Sequence, residues 1–176
     1  PRVWFHHMGD YYRFGHAIGV RAMYAEAYPN FGEGPKLYVA LKLMWDPEQD
    51  VDSLLREWYV RAVGPDAADD LAAYYAHWED FWTRRILESK WFSLRGQYLA
   101  FYSPKYLADV TDEDVSKSRQ WLENVVAKAQ TDQQRARAEL LMLAWKYYEA
   151  SAVAYSADRL SRELAIENEA DAVAAL

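Results

Sequence analysis

Large apolar residues recur at intervals of three and four positions between Pro65 and Glu88, and this spacing constrains the fold more than any other feature of the sequence. Residues three and four apart lie on one face of an α-helix. The recurring residues are Leu71, Tyr74, Tyr75, Trp78, Phe81, Trp82 and Ile86. Because aromatic rings of this size bury large areas of apolar surface, the pattern predicts a helix whose aromatic face is buried against other helices.

The sequence on both sides of this helix is also typical of helices. Asp50 or Asp52 can cap a helix whose apolar stripe begins at Val51, and Gly64 is suited to its C-terminal end. Further helices are predicted after the capping-box-like segment 111–114 and after Thr131. We therefore predict helix from Asp50 to about Glu167. The side chains predicted to be buried are those of Trp58, Trp78, Trp82, Leu122 and Tyr147.

The N-terminal part of the sequence has a different hydrophobic pattern and a different order of predicted elements. Arg2–His16 is typical of a short amphipathic helix, and the period-two pattern of Val20–Tyr28 predicts a strand. Pro29–Pro35 is a glycine-rich loop, and Lys36–Trp45 is a predicted helix that ends before Pro47. This order resembles one βα unit of an α/β protein. Either partner strands lie in an upstream region, or Val20–Tyr28 is coil packed on helices.

Composition and charge exclude several classes of function. The 176 residues carry a formal net charge of -7 and contain no cysteine. Nucleic-acid binding depends on clustered Lys and Arg, so nucleic acid is not an expected partner. No apolar run approaches the ~20 residues that cross a bilayer, so no membrane partner is expected. We also expect no cofactor.

The aromatic fraction of 16% has two interpretations. The rings fill a helical core, or some of them line a cleft in which a flat ligand such as a sugar ring stacks. The core interpretation is favoured for most of them, because aromatic side chains bury readily.

His6 and His7 invite a metal-site interpretation, with Asp10 and His16 nearby. Adjacent histidines point about 100° apart on a helix and do not easily share one ion, and the HExxH spacing is absent from the sequence. We therefore expect no metal, with one imidazole buried in hydrogen bonds and the other exposed.

Glu26 is the carboxylate with the most suggestive surroundings. On a strand it shares a face with Tyr24 and Tyr28, and Asn30 follows in the loop. Ligands of α/β folds bind outside the carboxyl ends of strands. The predicted substrate-binding residues are therefore Tyr24, Glu26, Tyr28 and Asn30. The alternative for Glu26 is a local cap or ion pair, and no catalytic residue is assigned.

The segments YVALKLMWDP (Tyr38–Pro47) and DVDSLLREWYVRAVGP (Asp50–Pro65) carry a resemblance to a known family. They resemble the end of a bacterial domain-of-unknown-function family allied to α-glucuronidase-like and hexosaminidase-like glycoside hydrolases. The resemblance implies that Val20–Trp45 is the last βα unit of a (β/α)8 barrel and that the rest is a helical extension. It covers the first half of the chain more closely than the second.

The expected fold is therefore mainly α, a helical bundle with a short N-terminal segment resembling the last βα unit of a barrel. The expected domains are residues 1–47, from the barrel, and residues 48–176, which are helical. The expected function is that of the C-terminal part of a glycoside-hydrolase-like protein, buttressing the barrel and contributing at most one wall of the sugar site. The alternative is a non-catalytic helical module that binds a protein partner.

These expectations extend to partners and activity. The intact protein should bind carbohydrate, and an upstream barrel region or another chain should cover the apolar face. Because both glycosidase mechanisms use two carboxyl groups and only Glu26 is nominated, the chain alone should be inactive. A secreted, periplasmic or cytoplasmic location is compatible with the sequence.

Overall fold

A computed structural model of the protein describes residues 1–27, 30–89, 91–93 and 104–163, with side chains as far as residue 156. The α-helices in this part of the chain are α1 (Phe5–Ala17), α2 (Lys36–Trp45), α3 (Val51–Val63), α4 (Ala68–Thr83), α5 (Asp112–Lys128) and α6 (Asp132–Glu163). Short 3-10 helices lie at Phe31–Glu33, Arg85–Glu88 and Pro104–Asp109. The fold is mainly α, as the sequence predicts.

Helix α4 is central: it packs against α3 and α5, and its aromatic rings contact those of α6. Its Trp78 side chain is fully buried, and its ring centroid lies 5.7 Å from that of Trp145 and 5.2 Å from that of Tyr148. Trp78 Nε1 donates a hydrogen bond to Ser118 Oγ at 3.1 Å, which satisfies the polar edge of the buried indole. The predicted aromatic core along this helix is confirmed.

Helix starts follow the capping chemistry of the sequence. Asp50 caps α3, since its carboxylate accepts a hydrogen bond from the Ser53 amide at 2.8 Å. Thr111 and Asp114 form a complete capping box at the start of α5. Each side chain accepts a hydrogen bond from the other residue's amide, and this satisfies amides that a helix start leaves unpaired.

Helices α1 and α2 pack against each other and against α3. The approach of α1 to α3 is close, since a Cβ at Gly9 would come 2.8 Å from Val51 Cγ2. Val39 and Leu43 of α2 are buried in the core. The core therefore includes residues from both predicted domains, 1–47 and 48–176, and the division between them stays a prediction.

The predicted strand at Val20–Tyr28 is wrong as far as residue 27. Residues 20–27 form an irregular, solvent-exposed segment, and the described part of the chain contains no strand. A single strand cannot satisfy its own edges, and the described residues offer no neighbouring strand for pairing. The Arg21 guanidinium donates hydrogen bonds to the carbonyls of His16 and Val20, so the segment is anchored locally to the end of α1.

The predicted burial is confirmed for Trp78 and Leu122, and Trp58 and Trp82 are partly buried. It is wrong for Tyr147, which is 80% exposed. Helix α6 carries apolar residues on two faces. The face that meets the core includes Ala138, Leu141, Met142, Trp145 and Ala152. Residue 147 lies two positions from Trp145, which places it about 200° around the helix from the core stripe.

Candidate functional site

The predicted substrate-binding residues are not gathered in one place. Tyr24 is 88% exposed and Glu26 is exposed, both in the irregular segment after α1. Tyr28 lies outside the described residues. Asn30 lines two adjoining hollows, and neither Tyr24 nor Glu26 lines them. The role assigned to these residues stays a prediction.

The turn at Phe31–Glu33 separates the two hollows and is firmly held. Asn30 Oδ1 accepts a hydrogen bond from the Gly32 amide at 3.1 Å, and Tyr75 Oη donates to the Gly32 carbonyl at 3.4 Å. Glu33 pairs with Lys36 at 3.0 Å. Each of these three contacts involves the cap residue Asn30 or a residue outside the turn. The turn therefore presents the Phe31 ring to solvent from a fixed backbone.

The first hollow has a volume of about 520 Å³ and lies between the turn, α3 and α6. Its cations are engaged within the protein. Arg61 pairs with Glu57 at 2.7 Å. Arg137 donates to the carbonyls of Arg61 and Ala62 at 3.3 and 3.5 Å, at the C-terminal end of α3, where a cation is favourable. Arg137 therefore acts as a cap for the C-terminal end of α3.

The second hollow has a volume of about 580 Å³ and lies on the other side of the turn. We call it the tyrosine cleft, and its aromatic and amide lining consists of Asn30, Phe31, Tyr74, Tyr106, Tyr147 and Tyr148. Tyr74 is almost completely buried, whereas the rings of Phe31 and Tyr147 are 63% and 80% exposed. The cleft thus has a buried tyrosine floor and aromatic rings at its mouth.

Two buried polar atoms at and beneath this cleft have no partner in the described part of the chain. They are the Tyr148 hydroxyl and the Trp145 Nε1 atom. The two ring centroids are 5.6 Å apart. An unsatisfied buried donor or acceptor costs about 1–3 kcal/mol, and such groups are rare in folded proteins. Burial also raises the pKa of Tyr74 and of Tyr148, so both hydroxyls remain neutral donors.

The charged residues of the tyrosine cleft are Arg2 and Glu33, and both are engaged elsewhere. The Arg2 guanidinium lies over the rings of Tyr106 and Trp82, at 4.9 and 5.2 Å from their centroids. Glu33 is held by Lys36. The cleft therefore offers aromatic faces, hydroxyls and one amide rather than a free charge.

His6 lies between two carboxylates. Its Nδ1 is 2.9 Å from Glu79 Oε2 and its Nε2 is 3.2 Å from Asp52 Oδ1. Partial burial lowers the pKa of His6, but the hydrogen bonds to Glu79 and Asp52 outweigh this effect and raise it above 6.5. The imidazolium ties α1 to α3 and α4. The expected hydrogen bonding of one histidine is confirmed, but its expected burial is wrong, because the His6 side chain is 54% exposed.

A second polar cluster surrounds Asp114, whose side chain is 2% exposed. Arg85 Nη1 and Nη2 donate to its two oxygens at 2.6 and 2.8 Å, and His77 Nε2 lies 2.8 Å from Oδ1. Burial raises the pKa of Asp114, but the hydrogen bonds from Arg85, His77 and Thr111 outweigh burial and hold it well below its usual range. The cluster joins α4 and the following 3-10 helix to α5, and its role is structural.

Neither cluster has the composition of a metal site. Over the described ranges, no group of three or more His, Cys, Asp or Glu side chains is placed to hold a metal ion. Over the same ranges, every helix is too short or too polar to span a bilayer.

Comparison with known families gives a match in the N-terminal part of the chain. Residues 1–76 match the family Domain of unknown function (DUF4838). The match includes α1, α2, α3, Tyr24, Glu26 and Asn30, and it confirms the resemblance to a domain-of-unknown-function family. The link of that family to glycoside hydrolases stays a prediction. Neither a curated protein nor a solved structure matches the chain.

Sequence reasoning missed the tyrosine cleft because its lining comes from positions far apart in the chain. Asn30 and Phe31 meet side chains of α4, the 3-10 helix at Pro104–Asp109 and α6. One signal was present in the sequence. Leu140, Leu143 and Tyr147 follow a three- and four-residue spacing, but Leu143 and Tyr147 are exposed and Leu140 is partly buried, so they do not form the core face of α6.

Proposed function

We propose that this chain is the C-terminal helical part of a glycoside-hydrolase-like, carbohydrate-active protein, in which α2 and residues 20–27 pack against an upstream (β/α)8 barrel. The observation that carries the proposal is the composition of α2. Its core face carries Val39 and Leu43, while its opposite face exposes a further apolar stripe. We call this stripe the α2 outer face, and it consists of Leu37, Leu41, Met44 and Trp45.

A helix with apolar residues on two opposite faces is typical of a helix that is packed on both sides. Trp45 is 90% exposed and Leu41 is 58% exposed, whereas a surface helix carries polar residues at such positions. Large exposed apolar patches mark contact surfaces. The α2 outer face is also continuous with the irregular segment, because Val20, Met23, Met44 and Trp45 line one hollow.

The irregular segment supports the same proposal. Residues 20–27 belong to the unit that the resemblance places at the end of a barrel, and they are irregular and exposed here. Packing against that barrel would cover them. Tyr24, Glu26 and Tyr28 would then face the sugar site, with Asn30 at its rim. The family match over residues 1–76 covers this whole region.

Carbene footprinting tests the packing surface. The chain of residues 1–176 and a longer polypeptide that includes the upstream region are labelled side by side. We expect labelling of Leu41 and Trp45 to fall about tenfold or more in the longer protein, because a packed interface excludes the reagent. Leu87 and Val153, which are 48% and 58% exposed and lie outside this surface, are the controls and should label equally in both. Equal labelling of Trp45 in both proteins would contradict the proposal.

The same surface also favours the alternative function, a non-catalytic helical module that binds a separate protein. The two are distinguished by the activity of the longer polypeptide on aryl glycosides. Hydrolysis that a single carboxylate substitution in the barrel abolishes supports the glycosidase. Protection of Trp45 by a separate protein, with no hydrolysis of any aryl glycoside, supports the binding module.

A further inference from the structure

The tyrosine cleft is lined by Tyr148, whose buried Oη atom has no hydrogen-bond partner among the described residues. The Nε1 atom of its neighbour Trp145 likewise has no partner within the described ranges. Buried polar groups in folded proteins are nearly always paired, so an unpaired one calls for an explanation. The Tyr148 hydroxyl has almost no exposed surface, so a polar ligand in the cleft would supply its partner after a small movement of the ring.

The shape of the cleft limits the size of such a ligand. The volume of about 580 Å³ lies in the range of small-molecule sites, roughly 300–1,000 Å³. The turn at Phe31–Glu33 forms one wall, and α6 forms the other with Ala144 and Tyr147. Because Tyr75 and the Asn30 cap fix the turn, the wall is preformed.

The mouth of the cleft presents flat apolar surfaces. The Phe31 and Tyr147 rings are mostly exposed, although each lies on a wall of the same hollow. An aromatic face with a nearby hydroxyl suits a ligand that has an apolar C–H face and polar edges. Leu143, which is also exposed, extends this apolar rim.

The charge of the cleft argues for a neutral ligand. Arg2 is stacked on Tyr106 and Trp82, and Glu33 is paired with Lys36. An anionic or cationic ligand would have to displace one of these contacts. A neutral ligand leaves both in place.

We propose that the tyrosine cleft is a binding site for a neutral, polyhydroxylated ligand, one or two sugar units of an oligosaccharide. The sugar faces stack on Phe31 and Tyr147. Hydroxyl groups of the sugar bond to Tyr74 and Asn30, and to Tyr148 once its ring moves to expose the hydroxyl. The site is separate from Tyr24 and Glu26. The lining that the structure describes belongs to residues 1–176, so binding is tested on this chain alone.

Binding is tested on this protein with cellotetraose, xylotetraose and chitotetraose, by saturation-transfer NMR and by titration of tryptophan fluorescence. We expect at least one of them to bind with a Kd of about 10 μM to 1 mM, a range typical of shallow sites. The variant Tyr147→Ala should weaken that binding about tenfold, since the exposed ring can be removed without disturbing the core. The matched control is Tyr11→Ala, which removes an exposed tyrosine of α1 outside the cleft and should leave the Kd unchanged.

The variant Tyr148→Phe tests whether the Tyr148 hydroxyl binds the ligand or only stabilises the fold. If the hydroxyl serves the ligand, this variant keeps or raises the melting temperature and weakens saccharide binding at least threefold. A lowered melting temperature with an unchanged Kd would mean that the hydroxyl is structural, and it would overturn the assignment of Tyr148.

Other results overturn the proposal as a whole. Absence of binding by all three tetrasaccharides at about 10 mM would do so, as would binding that Tyr11→Ala abolishes and Tyr147→Ala leaves unchanged. Decaproline is the comparison ligand, because aromatic grooves also accept proline-rich helices. Binding of decaproline through Tyr147, without saccharide binding, would show a peptide site instead. The barrel proposal is tested separately, by carbene labelling of Trp45 in the chain alone and in the longer polypeptide.

Discussion

The Tyr75 side chain lies directly beneath Gly34, so that a methyl group at Gly34 would overlap the Tyr75 hydroxyl. Gly34 also has a φ of 53°, a left-handed conformation that residues with a Cβ rarely adopt. The glycine allows the turn to approach α4 closely enough for Tyr75 Oη to donate to the Gly32 carbonyl. The position of the turn at Phe31–Glu33, which separates the two hollows, therefore depends on the contact between Gly34 and Tyr75.

Substitution of Gly34 should be costly. We expect Gly34→Ala to lower the free energy of unfolding by about 2–4 kcal/mol, from backbone strain and overlap with Tyr75 together. Gly19→Ala is the matched control, since Gly19 also has a positive φ of 98° but its Cβ would meet nothing within 4 Å. It should cost only the strain, about 1–2 kcal/mol. Urea unfolding measures both, and equal losses would show that the Tyr75 contact contributes nothing.

Asp114 should dominate the acid stability of the bundle. Removal of the carboxylate leaves Arg85 half-buried without its partner, so Asp114→Ala should cost about 3–5 kcal/mol at pH 7. Asp80, which pairs with Arg84 at the surface, is the control, and Asp80→Ala should cost less than about 1 kcal/mol.

The pH dependence follows from the lowered pKa of Asp114. Its contribution is present above the unfolded pKa of 3.8 and is lost as the pH falls below that value. The wild type should therefore lose stability steeply in acid, and Asp114→Ala should lose less. Urea unfolding between pH 7 and pH 2.5 checks this, and parallel curves would contradict it.

His6 should have the opposite pH dependence. Its pKa is raised, so its contribution is complete below 6.5 and is lost as the pH rises through the folded-state pKa. His6→Ala should destabilise the protein more at pH 5.5 than at pH 9. His7→Ala, a substitution of its exposed neighbour, should show no such difference. Equal loss at both pH values for His6→Ala would show that the carboxylate contacts are not electrostatic.

Glu26 is predicted to bind substrate in the intact protein. Glu26→Gln keeps the shape of the side chain and removes its charge, so we expect a higher KM with a nearly unchanged kcat and melting temperature. A loss of several orders of magnitude in kcat would indicate catalysis. An unchanged KM with a lowered melting temperature would indicate that Glu26 is only structural.

Local signals predicted the helices well, because caps and apolar spacing act over a few residues. Asp50, Thr111 and the stripe around Trp78 behave as their sequence indicates. The Tyr147 prediction failed because α6 is apolar on two faces, and periodicity alone does not say which face meets the core. The failed strand at residues 20–27 depends on pairing partners that local sequence does not reveal.

The candidate site was less predictable than the fold. Of the predicted residues, Asn30 lies at a hollow, and it does so as the cap of a turn. The tyrosine cleft joins Asn30 to Tyr106 and Tyr148, which are brought together only by the packing of the turn against α6. Such long-range contacts leave no periodic mark in the sequence.

The central claim is that residues 20–27 pack against an upstream barrel in the longer protein. Amide hydrogen exchange of these residues, measured in the chain alone and in the longer polypeptide with the upstream region, tests it most directly. The account predicts fast exchange in the chain alone and at least about hundredfold slower exchange in the longer protein, because packing and hydrogen bonding protect backbone amides. Equally fast exchange in both proteins would contradict it.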